Sequence, residues 1–393
     1  MLDWPAVLLI GTLLVVLSFA AGYGYQRLRQ SRYNARFTSG YYQGLRYLLN
    51  DSTDSSIEDF LHSLAVNDQT LEIHMALGQA MRRRGEVGRA IQIHEHLLHT
   101  SHLKPLQRQE AQFELACDFV SAGVLDRAEN LLNELVRGNS VFTPNALKQL
   151  LLIYQSEREW GKAIATADKL LDYPRQLGAN ELALMRSHYC CELAQMALVE
   201  GNRQVARDHL NDAAAYFQQS VRASLLLAQL DVEEGNYRAA LEGLRRIPQQ
   251  DADFIREALP LLGRCFSALG DQEGYRRYLY ELLARHPGSS LVLHLAGLLQ
   301  ASDGPGAAID FISAQLGLKP SLRLLNALLE LRILEAEQQE PLQLMKSAIE
   351  KVLAESPAYQ CHRCGFSGKK LHWLCPSCKS WGSIRPIKGV TGE

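Results

Sequence analysis

The sequence carries no charged side chain between Asp3 and Arg27, and no Lys or Arg precedes that run. A helix rising about 1.5 Å per residue over such a stretch crosses the roughly 30 Å hydrocarbon layer of a bilayer. The missing basic start argues against a cleaved secretory leader, and a core helix of this length without a polar face would be unusual. Bulk charge is nearly absent too. The net charge is −2, so no overall field points to nucleic acid or to an acidic partner. Cysteine is sparse, with eight in 393 residues, which argues against a secreted disulfide scaffold. Four of them, Cys117, Cys190, Cys191 and Cys265, lie inside apolar helical patterns and read as reduced core thiols in a reducing compartment. No phosphate-binding loop is present. The stretch "HEHLLHTSH" is not H-E-x-x-H, because Leu98 takes the second His position. His94, His96, His99 and His102 are therefore expected to form an exposed polar stripe rather than a metal site.

Basic residues cluster just after the uncharged run: Arg27, Arg29, Arg32 and Arg36. Under the positive-inside rule this flank stays in the cytoplasm. Trp4 at one edge and Tyr23 and Tyr25 at the other suit the two membrane interfaces. The expectation is a retained single-pass anchor over residues 1–26. A basic juxtamembrane segment over 27–36 would then touch anionic headgroups, with the bulk of the chain on the cytoplasmic side.

The middle is rich in helix-forming Leu, Ala, Glu, Arg and Gln. A small residue recurs near the start of a second helix at Ala90, Ala128, Ala163, Ala206, Ala240 and Ala308. Consecutive members lie 38, 35, 43, 34 and 68 residues apart; the last gap is bridged by "GYRRYLYELL" near Tyr275. A second small column, twelve residues earlier, holds Gly44, Gly78, Ala116, Ala194, Ala228, Gly263 and Ala296. Three positions on lies a bulky one: Tyr47, Met81, Phe119, Tyr154, Phe266 and Leu299. Gly85, Gly123, Gly201, Gly235 and Gly270 mark the turns, and Pro287 and Pro320 the unit boundaries. A helix pair of this length cannot bury its apolar face alone, so successive pairs must stack.

These phased columns resemble the tetratricopeptide repeat over about residues 37–320, with a further helical pair from Leu322 to Glu355. There are departures. No unit has Trp at the early aromatic position, Leu151 replaces a small residue, and Asp231 stands where an aromatic is usual. The resemblance implies an all-α superhelical solenoid over 37–355 that does no chemistry and presents a groove lined by the first helix of each unit. Arg82, Arg83 and Arg84 would either face an acidic partner there or form a solvated helix end.

The last segment has the spacing C-x2-C-x10-C-x2-C at Cys361, Cys364, Cys375 and Cys378. Each C-x2-C offers two sulfurs to one ion, and the intervening hairpin returns the second pair to it. Four thiolates at tetrahedral geometry suit zinc, or iron in a rubredoxin-like site, and leave no open position for catalysis. A redox pair would explain one C-x2-C, not two in phase. Charges between Pro357 and Glu393 sum to +5, which largely offsets the −2 of zinc with four thiolates. Phe366, Trp373 and Trp381 are too many aromatics for so small a module to bury, so some are expected to pack on the last helices and cap the solenoid.

Anchor, repeats and the knuckles "CHRCGF" and "CPSCKSW" together are similar to the lipopolysaccharide assembly protein B family of Gram-negative bacteria, along the whole chain. The resemblance implies a non-enzymatic adaptor at the bacterial inner membrane. It would work with the membrane protease FtsH to promote degradation of the lipid A deacetylase, and would gather other lipopolysaccharide synthesis or transport proteins. Metal ligation carries over to Cys361, Cys364, Cys375 and Cys378, in a rubredoxin-type domain over 356–393. The short hairpin, and Lys379 where a second Gly is usual, favour zinc over iron. No nucleic acid is expected, and a homodimer is left open. The alternatives are a rubredoxin-like electron carrier and a nucleic-acid-binding zinc ribbon.

Overall fold

The computed structural model describes residues 18, 22–25, 70–99, 103–175, 177–335 and 339–393. The expected anchor, the basic segment and the first repeat lie outside the described residues, apart from Ser18 and residues 22–25, which are helical. No helix among the described residues is long and apolar enough to cross a membrane. The chain divides into two compact units, Met1–Arg158 and Glu159–Glu393.

In the first unit the described helices are α1 (Leu71–Arg83), α2 (Val87–His99), α3 (Pro105–Ala122), α4 (Leu125–Arg137) and α5 (Thr143–Glu157). Gly85 and Gly123 turn the first two pairs at φ 85° and 74°, a left-handed backbone that costs glycine little. Ala90, Ala116 and Ala128 have no exposed surface, and Met81, Phe119 and Tyr154 are buried as well. Gly78 shows why its column is small. A Cβ there would lie 2.5 Å from the ring of His94.

That ring corrects the expectation of an exposed histidine stripe. His94 is fully buried and its Nδ1 pairs with the equally buried Asp118. Only His99 of the stripe is exposed; His96 is half-buried and His102 lies outside the described residues. Asp118 also binds Arg82 Nη1 at 2.6 Å, while Arg82 Nη2 reaches Glu114 at 2.6 Å. Arg82 is therefore committed to an internal network between α1, α2 and α3. Arg83 and Arg84 are exposed.

In the second unit α6 (Trp160–Leu170) leads into α7 (Ala179–Val199) and α8 (Arg203–Tyr216), then α9 (Val221–Glu233) and α10 (Tyr237–Leu244). A one-turn α11 (Ile247–Gln250) and a 3-10 turn (Ala252–Phe254) bridge to α12 (Ile255–Ala268) and α13 (Gln272–Arg285). Then come α14 (Ser289–Asp303), α15 (Pro305–Leu318), α16 (Leu322–Glu335) and α17 (Glu340–Glu355). Ala163, Ala206, Ala240 and Ala308 have no exposed surface, and Ala194, Ala228, Ala296, Phe266 and Tyr275 are buried with them. Gly201, Gly235 and Gly270 turn at φ 70–82°. Asp231, the polar intruder in the aromatic column, is buried but paired with Arg207 at 2.7 Å. These pairs are the tetratricopeptide-like solenoid that the columns imply, and its first helices are α7, α9, α12, α14 and α16.

The chain ends in a three-stranded antiparallel sheet of order β2-β1-β3, formed by β1 (Tyr359–Cys361), β2 (Ser367–Gly368) and β3 (Ile384–Pro386). Tyr359, Cys361, Cys375 and Ile384 form its small core, with Phe366 and Leu371 packed against them.

Candidate metal centre and the helical face it covers

Two tight turns build the centre. Gly365 N–H donates to Cys361 O at 2.9 Å, and Lys379 N–H donates to Cys375 O at 3.0 Å. Gly365 has φ 79° and Lys379 φ 54°. Lys379 thus adopts the left-handed backbone that a glycine would supply, and the second knuckle closes like the first. The four sulfurs lie within 4.8 Å of one another, with Cys361–Cys378 and Cys364–Cys375 each at 3.7 Å. A tetrahedral ion with metal–sulfur bonds of about 2.3 Å demands a sulfur–sulfur spacing near ~3.8 Å. The four thiols therefore fit one metal ion.

The surroundings favour thiolate at Cys361. Burial pushes the Cys361 thiol up, but the Ser383 hydroxyl and the backbone N–H groups of Cys364 and Arg363 outweigh it and bring it down to about 6. Burial dominates at Cys375, which rises to about 11 despite N–H donors from Cys378 and Ser377. The remaining cysteines are of another kind. Burial lifts the thiols of Cys117, Cys190 and Cys191 to about 12 and raises that of Cys265, which suits inert core thiols.

Contrary to expectation, the ribbon's two tryptophans pack not on the last helices but on earlier ones. Trp381 lies against α6 and α7: its ring stacks on His188 at 4.8 Å and meets Trp160 and Tyr189 edge-on at 6.1 and 5.8 Å. Trp373 stacks on Phe254 of the 3-10 turn at 5.2 Å. Phe366 stays within the ribbon. By contrast α17 has no buried residue, and Leu344 is 72% exposed. The physical reason is complementarity. Trp160 of α6, His188 and Tyr189 of α7 and Phe254 of the 3-10 turn offer rings to the two tryptophans, whereas α17 offers only scattered aliphatic side chains.

Ion pairs ring the aromatic contact. Arg385 pairs with Asp251 and with Asp253 at 3.2 Å, and Lys388 pairs with Asp253 at 2.7 Å. The Tyr359 hydroxyl donates to Glu257. Two of the cations read from sequence as balancing the metal site thus serve the solenoid instead. His188 is 3% exposed, and burial with Arg222 nearby pushes its imidazole down to about 3, so it stacks as a neutral ring. Sequence reading missed Trp160, His188, Asp251, Asp253, Phe254 and Glu257. Each looks like ordinary repeat sequence until the ribbon is laid on it.

A family model described as "Rubredoxin metal binding domain" matches residues 359–386, and one described as "Tetratricopeptide repeat" matches 197–265. Lipopolysaccharide assembly protein B of Escherichia coli K12 is 34% identical over 390 residues, covering 97% of this chain and 99% of that protein. The chain belongs to the lipopolysaccharide assembly protein B family. The Haemophilus influenzae member is 33% identical over 396 residues, covering 96% of this chain and 98% of that one. Among solved structures, a tetratricopeptide repeat protein from Parabacteroides merdae matches at 16% identity over 67% of this chain and 98% of its own, with a TM-score of 0.32.

Proposed function

We propose that the chain is a membrane-anchored, non-enzymatic adaptor in lipopolysaccharide assembly. Residues 1–26 anchor it in the inner membrane, 27–36 lie against the cytoplasmic surface, 37–355 form the protein-binding solenoid and 356–393 the metal ribbon. It promotes FtsH-dependent proteolysis of the UDP-3-O-acyl-N-acetylglucosamine deacetylase of lipid A synthesis and gathers other synthesis or transport proteins beside the membrane. The observation that carries this reading is family membership at 34% identity over nearly the whole chain. Anchoring confines the solenoid to a thin layer next to membrane enzymes and so raises their effective concentration.

The four-thiolate site holds zinc in this reading and does no chemistry, since four protein ligands leave no open position. Its part is to fold the ribbon, which is too small to hold together on its own apolar core. Purified protein should be colourless, with one zinc per chain; a red protein with iron would favour an electron carrier instead. In cells, removing residues 1–26 or replacing Cys364 with Ser should lengthen the lifetime of the deacetylase. Unchanged turnover in both variants would sink the adaptor reading.

A further inference from the structure

The second knuckle is followed at once by Ser380, Trp381, Gly382 and Ser383. The two serines stand beside sulfurs of different knuckles. Ser383 Oγ lies 3.3 Å from Cys361 Sγ, and Ser380 Oγ lies 3.3 Å from Cys378 Sγ. Backbone bonds fix both serines. His362 N–H donates to Ser383 O at 2.9 Å, and Cys375 N–H donates to Ser380 O at 3.0 Å. Arg363, inside the first knuckle, reaches across and donates from Nη1 to Ser380 Oγ at 2.8 Å. The first knuckle thus supports a sulfur of the second through Arg363 and Ser380. Ser383, from beyond the second knuckle, supports a sulfur of the first. Neither Cys364 nor Cys375 has a hydroxyl partner among the described residues; their sulfurs face each other at 3.7 Å.

The position of the protons decides what these contacts do. Each hydroxyl has one proton and two places to put it. Ser383 Oγ also lies 3.1 Å from Ser380 O, and Ser380 Oγ lies 3.5 Å from Cys378 O. While the sulfur is a thiol, its S–H can point at the serine oxygen and the hydroxyl can turn to the carbonyl. A sulfur that ligates metal has lost its proton and only accepts. Each hydroxyl then turns to the sulfur, because a charged acceptor makes the stronger bond. At Ser380 the guanidinium of Arg363 already donates to the oxygen and polarises the O–H toward Cys378. Both arrangements use the same heavy-atom positions, so loading the site needs only rotation of two hydroxyls.

We propose that Ser380 and Ser383, with Arg363 behind Ser380, are positioning residues of the metal centre. Their hydroxyls hold Cys361 and Cys378 as thiolates when an ion is bound, and leave Cys364 and Cys375 as the less restrained pair. A hydrogen-bonded thiolate is a weaker electron donor and a poorer nucleophile than a bare one. Cys364 is exposed and lacks a hydroxyl partner, so the loaded site reacts first there. Trp381 lies between the two serines, and the stretch that steadies the sulfurs therefore also carries the ring docked on His188. This inference rests on the four sulfurs holding a metal and goes beyond the adaptor reading, on which it does not depend.

The test uses the full-length chain loaded with cobalt(II), which occupies tetrahedral thiolate sites and reports on the sulfurs through its charge-transfer absorption. Ser383→Ala and Ser380→Ala should each move the sulfur-to-cobalt band to longer wavelength and weaken zinc retention against a chelator by roughly tenfold. Ser383→Thr, which keeps the hydroxyl, should match the natural chain in both. Arg363→Gln should move the band the same way as Ser380→Ala, by less. With zinc bound, iodoacetamide should label Cys364 before Cys378, and Ser380→Ala should speed labelling of Cys378 while leaving Cys364 unchanged. A merely steric role would weaken zinc retention without moving the band. An unmoved band in both alanine variants, failure of threonine to preserve it, or labelling of Cys378 unaffected by Ser380→Ala would each overturn the proposal. Should either alanine variant fail to fold, judged by helicity, the band of the other and of Arg363→Gln decides. A chain that binds no cobalt would refute the metal site and this proposal together, whereas bound cobalt with an unmoved band would refute the proposal alone.

Discussion

The imidazole of His188 lies flat against the indole of Trp381, with ring centroids 4.8 Å apart and planes 17° apart. This contact fastens the metal ribbon to a first helix of the solenoid. A surface that the repeat architecture would leave open to partners is, at α7 and α9, covered from within. Any partner of the second unit under the proposed adaptor reading would have to use what the ribbon leaves free.

Trp381→Ala should undock the ribbon. Loss of a buried aromatic of this size costs about 3–5 kcal/mol, and hydrogen exchange should rise across α7 while the ribbon keeps its metal. Phe366→Ala, which alters the ribbon's own core, should instead lower metal affinity. If both variants behave alike in exchange and metal content, the two aromatics do not have separate roles.

His188→Phe should preserve docking and raise thermal stability slightly. Both ring nitrogens of His188 are buried without a hydrogen-bond partner in the structure, and an apolar ring of similar shape removes that cost, which is about 1–3 kcal/mol per unsatisfied group. His188→Lys should undock the ribbon, because a buried charge would face Arg222. Melting curves and tryptophan fluorescence distinguish the two.

Gly78→Ala should destabilise the first unit by about 1–3 kcal/mol through overpacking. The added methyl meets the His94 ring, which Asp118 holds in place. Adding His94→Ala should recover part of the loss, so the double-mutant cycle should show coupling. Additive losses would mean that the ring moves aside freely.

Acid should loosen the ribbon's ionic attachment. Burial raises the Asp253 carboxyl, but Lys388 and Arg385 outweigh it and hold it below its usual range. Burial likewise works against Glu393, and Ser290, Arg323 and Arg256 hold it low. Both values are lower in the folded chain than in the unfolded one. Their contribution is thus complete above the ordinary carboxylate range and drains away as pH falls through the lowered native values. Exchange protection in the segment after β3 should fall with pH in that window, and Asp253→Asn should abolish part of the dependence. A profile unmoved by Asp253→Asn would assign the acid sensitivity to the thiolates alone.

Chelation should release the ribbon and leave the solenoid. Metal binding and folding are one equilibrium in so small a module. Strong chelator should therefore shift the emission of Trp373 and Trp381 to the red while most of the far-UV helical signal persists. Global loss of helix on chelation would mean that the solenoid depends on the ribbon for its fold.

Much of this fold is legible in the sequence because its determinants are local. Ala90, Ala128 and Ala206 recur at helical-pair spacing, and a helix pair needs a small residue at each crossing wherever it stands in the chain. The glycine turns follow from the left-handed backbone they require. The metal site is local as well, since two C-x2-C knuckles bring four sulfurs to one ion whatever lies around them. By itself the sequence determined the helical repeats, the turns and the four-sulfur centre. Only the tertiary structure decided where the ribbon lies, that His94 is buried against Asp118, and that Glu393 enters a ring of donors. Arg385 and Asp251 are 134 positions apart, and no periodicity or spacing rule links an aspartate on one repeat to an arginine on a distant strand. Such contacts depend on the shapes and charges of two finished surfaces, which exist only after each has folded.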